Sequence, residues 1–115
     1  MTTQELIDLH VTRFGSGDLE GLVSEYHDDA VVITPFGALV GKAAVRPLLA
    51  GMLEEFSLPG VSFTLTAKIV QGDVAYLTWR AETPRTSYHL GSDTIVFRDG
   101  KIAVQTAALH ATPKG

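Results

Sequence analysis

The sequence predicts a single α+β domain, with helices first and a mainly antiparallel sheet completing the chain. Three observations carry this. Capped segments with apolar residues at helical spacing lie within the first 56 positions. Two stretches between residues 62 and 82 alternate apolar and polar side chains. Asp99-Gly100, a hairpin turn pair, joins two further β-rich runs. At 115 residues the chain can bury one core and is too short for two, so residues 1–115 are expected to form one domain.

Thr2 followed by Glu5 is a capping-box pair, and Leu6, Ile7, His10, Val11 and Phe14 then share one face. Residues 3–14 are therefore expected as an amphipathic helix, closed by Gly15-Ser16-Gly17. Asp18 caps a shorter helix that ends near Glu25. Residues 30–34 are β-branched and apolar and read as a strand, followed by a Pro35-Phe36-Gly37 turn and an extended piece over 38–40. A third helix is expected over 42–56, with a kink or late start at Pro47, which lacks an amide donor and crowds the carbonyl of Ala43.

Beyond it the period changes to two. Phe63, Leu65, Ala67 and Ile69 are expected inward on one strand, and Ala75, Leu77, Trp79 and Ala81 on the next. Residues 87–98 and 102–110 form the last hairpin, with Tyr76, Thr78, Arg80, Tyr88, Leu90 and Thr94 expected on the outer face.

Composition excludes several classes. Hydrophobic residues make up 45% and charged residues 19%, the balance of a globular chain rather than a disordered one. A net charge of −4 with nine scattered basic residues argues against nucleic acid as a partner. The absence of cysteine removes disulfides and thiolate metal sites. No apolar run approaches the ~20 residues of a membrane span, and the MTTQELIDLH start has no signal-peptide pattern, so no membrane partner and a cytoplasmic location are expected. No phosphate loop, nucleophile elbow or HExxH motif occurs, and no cofactor is expected.

Four polar residues stand among apolar neighbours. Asp93 shares a strand face with Gly91, Ile95 and Phe97, where an acid is costly to bury unless it is paired. His89 lies four residues earlier on the same predicted face, about 13 Å away at the strand rise. His10 shares its helical face with Ile7 and Phe14, and Gln105 shares its strand face with Ala103, Ala107 and Leu109. Trp79 falls among inward residues and needs a partner for its indole N–H. His27, Asp28 and Asp29 are adjacent and point in different directions, so they are assigned to capping and turn formation and no metal site is expected.

The run GDLEGLVSEYHDDAVVITPFG, from Gly17 to Gly37, closely resembles the same stretch of bacterial ketosteroid isomerases and the wider SnoaL-like, NTF2-like superfamily. A weaker likeness extends from Asp93 to Leu109 through the FRDGKI hairpin. The resemblance implies a cone-shaped barrel, with three helices on a curved, mainly antiparallel sheet that encloses a cavity. It places Asp93 and His10 at the positions of the isomerases' oxyanion-hole aspartic acid and tyrosine, and Tyr26 where a tyrosine orients the latter. In those isomerases the aspartic acid is held neutral by its apolar site and donates a hydrogen bond to the oxyanion. Thr34 stands where the isomerases carry the proton-moving aspartate, which argues against that particular reaction.

The expected cavity is lined by Phe14, Phe36, Met52, Phe56, Phe63, Trp79, Phe97 and Leu109, with His10, His89, Asp93 and Gln105 converging on it. Tyr26 and Thr34 complete the expected substrate contacts. The first expectation is an isomerase, cyclase or lyase acting on a small hydrophobic carbonyl compound, in which Asp93 and His10 stabilise an enolate-like oxygen and His89 is the base. A non-catalytic binder and a protein-interaction module are the alternatives. A homodimer through the outer sheet face is expected from the apolar residues there.

Overall fold

The computed structural model describes residues 1–115 and places three helices against one six-stranded sheet. Helix α1 (Thr3–Ser16) starts with the expected capping box, Thr2 accepting from the Glu5 amide and Glu5 reaching back to the Thr2 amide. It stops at Gly17, which adopts a left-handed φ of 71° and returns its amide to the last turn. Asp18 accepts from the Gly21 amide and opens α2 (Leu19–Ser24). Helix α3 (Lys42–Phe56) continues through Pro47, so the late start expected there does not occur. Pro47 and Ala43 are both on the exposed side, so the carbonyl that loses its helical partner meets water.

The strands are β1 (Tyr26–Thr34), β2 (Gly37–Val40), β3 (Ser62–Gln71), β4 (Val74–Glu82), β5 (Thr86–Arg98) and β6 (Lys101–Pro113). Their order is β2-β1-β6-β5-β4-β3, with β1 and β6 parallel and every other pair antiparallel. The curved sheet ends at β2 and β3, which do not pair, so it is open rather than a closed barrel. Asp99 and Gly100, with φ of 52° and 77°, supply the two positive-φ positions of the β5–β6 turn. The helices cover the concave face. Ile7, Leu22, Val45, Leu77, Ile95 and Ile102 are at most 5% exposed and form the centre of the core between them.

Register shifts in β3, β5 and β6, with a further one in β1 between Tyr26 and Val31, decide which side chains face the helices. An extra residue at Thr66 reverses the parity of β3, so Val70 packs on the core and Ile69 is exposed, the opposite of the expected alternation. An extra residue near His89 does the same in β5, where Trp79 pairs with Gly91 and Ala81 with Tyr88. Tyr88 therefore turns inward onto Phe56 and Trp79, while His89 turns outward. A third, at Ala103, lets Val96 pair with Val104 and Phe97 with Ile102. Strand β1 begins four residues before the expected Ala30. His27, Asp28 and Asp29 thus lie in a strand rather than a turn, with His27 bonded to the Arg98 carbonyl and Asp29 paired with Arg98.

Candidate active site

The concave face and the helices enclose a cavity of about 80 Å³, whose apolar wall includes Val11, Phe14, Leu49, Met52, Leu65 and Leu77. Phe63 and Trp79 stack at 5.5 Å on one side. His10, Asp93 and Gln105 are the polar groups that reach the cavity. Of the expected contact residues, Met52 and Trp79 also line it.

Asp93 is held by two donors. Trp79 Nε1 donates to its Oδ2 at 2.9 Å and Gln105 Nε2 donates to its Oδ1 at 3.2 Å. Both partners come from neighbouring strands, β4 and β6, so the sheet register itself assembles the trio. The indole reaches Asp93 by lying across Gly91. A Cβ on Gly91 would fall inside the ring's contact distance, so only glycine fits opposite Trp79. Gln105 in turn accepts from the Tyr26 hydroxyl at 2.5 Å. Tyr26 is 1% exposed; burial, with the nearby Glu25 and Asp93 charges, pushes its phenol well above the ordinary value and keeps it a donor. Gln105, Asp93 and Trp79 therefore form the polar floor of the cavity, and Tyr26 holds Gln105 from the core behind it.

His10 is 9% exposed on the inward face of α1. Its Nδ1 lies 2.6 Å from Oε1 of Glu25, whose Oε2 accepts from Arg13 at 3.0 Å. An ionised carboxylate is acceptor-only, so Nδ1 donates to Glu25, and Nε2 is the ring nitrogen that Glu25 does not engage. Tyr26, expected to support His10, supports Gln105 instead.

Glu25 and Arg13 did not stand out in sequence. Glu25 closes α2 and pairs across 15 residues with His10, which no local pattern signals. The one available hint was an acid directly before the inward Tyr26, within reach of an inward histidine.

The other expected site residues lie elsewhere. His89 is exposed on the outer face, bonded to Thr112 Oγ1 at 2.9 Å with its ring 4.8 Å from that of His110, and cannot serve as base in the cavity. Thr34 ends the inward face of β1, where its hydroxyl accepts from the Phe36 amide at 3.1 Å and braces the turn; it does not line the cavity. Phe36 is 89% exposed at that turn. Phe56 backs the cavity wall through Phe14, Phe63 and Trp79 rather than lining it. Phe97 is in the core, and Leu109 is half-buried beyond the cavity, beside Gly91. No group of three or more His, Cys, Asp or Glu side chains is placed to hold a metal ion. No helix is long and apolar enough to cross a membrane.

Solved structures reproduce the fold. An NTF2-like protein from Cytophaga hutchinsonii superposes with a TM-score of 0.79 at 11% identity, covering 96% of this chain and 91% of that one. An NTF2-like protein from Mesorhizobium loti gives 0.77 at 20% identity, covering 94% and 90%. TerC, crystallised with polyporic acid, gives 0.71 at 21% identity, covering 94% and 91%. A search of curated proteins returns no match. Residues 7–105 match the SnoaL-like domain, which spans nearly the whole chain. The chain belongs to the SnoaL-like family of the NTF2-like superfamily.

Proposed function

We propose that this chain is an isomerase-, cyclase- or lyase-type enzyme for a small, largely apolar carbonyl compound, with His10 moving the proton and Asp93 holding a substrate oxygen. The observation that carries the reading is the convergence of His10 and Asp93 on one cavity whose remaining wall is mostly apolar. Glu25 fixes the His10 ring so that Nε2 takes a proton from carbon beside the carbonyl. The protonated ring then returns that proton to another carbon or to a leaving oxygen, so one residue serves as base and acid in turn. Cavity size limits the substrate. About 80 Å³ is less than the roughly 150 Å³ known to admit a benzene ring, which favours a small substrate over a steroid.

The direct test is deuterium exchange beside the carbonyl of small cyclic ketones, hydroxylated and plain, followed by NMR in heavy water. Exchange above the buffer rate supports the reading. Ligand-dependent change in Trp79 emission without any exchange supports instead the non-catalytic binder, for which TerC crystallised with polyporic acid is a structural parallel.

The outer sheet face is read as a homodimer surface, because Leu90 at 49%, Tyr76 at 41% and Val104 at 36% exposure leave apolar area uncovered. Sedimentation at micromolar concentration should show twice the 12.3 kDa chain mass; a monomer alone would contradict it.

A further inference from the structure

We infer that the cavity selects a ligand carrying a hydroxyl group, and that this hydroxyl docks between Asp93 and Gln105. The inference rests on the reading of the cavity as a ligand site and adds the chemical class of what enters it. It follows from counting the hydrogen-bonding valences that remain.

The Trp79 N–H is committed to Asp93, and the Tyr26 hydroxyl to the Gln105 carbonyl. The Nδ1–H of His10 is committed to Glu25. Gln105 spends one amide hydrogen on Asp93 and keeps the second. Asp93 accepts one bond on each oxygen, and a carboxylate has about four lone-pair positions, so two are open. What the cavity offers a ligand is therefore the Asp93 carboxylate as acceptor, one donor in the second N–H of Gln105, and, with His10 in the base form of the proposed chemistry, a second acceptor at its Nε2.

A plain ketone matches this poorly. Its oxygen can take the Gln105 N–H but presents a lone pair to the adjacent carboxylate. A hydrocarbon leaves all three groups unpaired in a mostly apolar enclosure. A hydroxyl fits both neighbours at once, donating to Asp93 and accepting from Gln105, with the charge-assisted bond the stronger of the two. The apolar body of the ligand lies against Phe14, Met52, Phe63 and Leu77. Applied to the proposed chemistry, the substrate is a hydroxylated ketone or an enol: the hydroxyl anchors it while the carbon to be deprotonated faces His10.

Trp79, the chain's one tryptophan, lines the cavity and is bonded to Asp93, so its emission reports binding there. The full chain is titrated with four six-membered probes: phenol, cyclohexanol, cyclohexanone and toluene. Phenol and cyclohexanol should bind about tenfold or more tightly than toluene and cyclohexanone respectively, the usual effect of one hydrogen bond to a charged group. Asp93→Asn places an amide N–H where the carboxylate was, and should shift the preference toward cyclohexanone. The wild-type series decides the matter even where that variant fails to fold. Cyclohexanone binding as tightly as cyclohexanol, with Trp79 responding, overturns the hydroxyl inference and leaves the cavity standing as a ligand site. No response of Trp79 or of cavity NMR shifts to any probe overturns the ligand-site reading and this inference with it.

Discussion

The cavity floor around Asp93 and the outer cleft around His89 use the same kinds of residue to different ends. Each brings together a carboxylate, an imidazole and a tyrosine. The outer cleft, bounded by Ser62, Thr64, Arg80, Glu82, Tyr88 and His89, is broad and open, about 310 Å³. Its charged groups meet solvent and exposed partners such as Lys114 and Ser87. In the cavity, Tyr26, Gln105, Asp93 and Trp79 are bonded in series beneath the helices, and His10, Glu25 and Arg13 form a second set beside them. Low local dielectric makes each of those bonds stronger, and each loss more costly, than its counterpart outside. Enclosure, rather than residue type, separates the two regions.

Breaking the enclosed pairings should cost far more than breaking the exposed ones. Glu25→Ala leaves His10 and Arg13 without their shared acceptor and should lower unfolding stability by roughly 3 kcal/mol, measured by urea denaturation. A loss below about 0.5 kcal/mol would show that the set is not energetically enclosed. Gly91→Ala drives a methyl into the Trp79 indole and should cost about 2 kcal/mol while shifting Trp79 emission, because the ring must leave Asp93. Unchanged emission would mean that the ring does not lie across Gly91.

Glu55 gives an intermediate case at the boundary. Burial raises its pKa, but hydrogen bonds from Thr83, Tyr88 and Thr86 and the nearby Arg85 charge together outweigh that, and the carboxyl sits below its ordinary value. Its folded pKa is depressed, so its stabilising contribution is complete above pH 4.5 and is lost as pH falls below that toward the folded value. Glu55→Gln should flatten the acid limb of a stability–pH curve and leave the slope near pH 7 unchanged. His89→Ala, in the open cleft, should change stability by no more than about 0.5 kcal/mol.

Much of the fold was legible because its signals are local. The Thr2–Glu5 capping box, the Asp18 cap, the span of α3 and the Asp99-Gly100 turn are each specified by residues within one turn of one another. Asp93, Gln105 and Trp79 were legible as an inward set because alternation is uninterrupted between Gly91 and Ile95 and between Val74 and Ala81. His89 and Ile69 were misread for the opposite reason. The bulge at Thr66 carries no glycine or proline, and the one at His89 is bounded by Gly91 only on its far side; in both, the extra residue is placed by pairing with neighbouring strands that the local pattern does not encode. Thr34 and Phe36 were placed by likeness to the isomerases, yet here the cavity ends short of their turn.

The central claim is that the enclosed imidazole, and not the exposed one, does the chemistry. Deuterium exchange into a small cyclic hydroxyketone, compared across wild type, His10→Gln and His89→Gln, tests it most directly. The account predicts at least a ~100-fold loss of the catalysed rate in His10→Gln and a wild-type rate in His89→Gln. Full exchange in folded His10→Gln, or loss in His89→Gln alone, would contradict it.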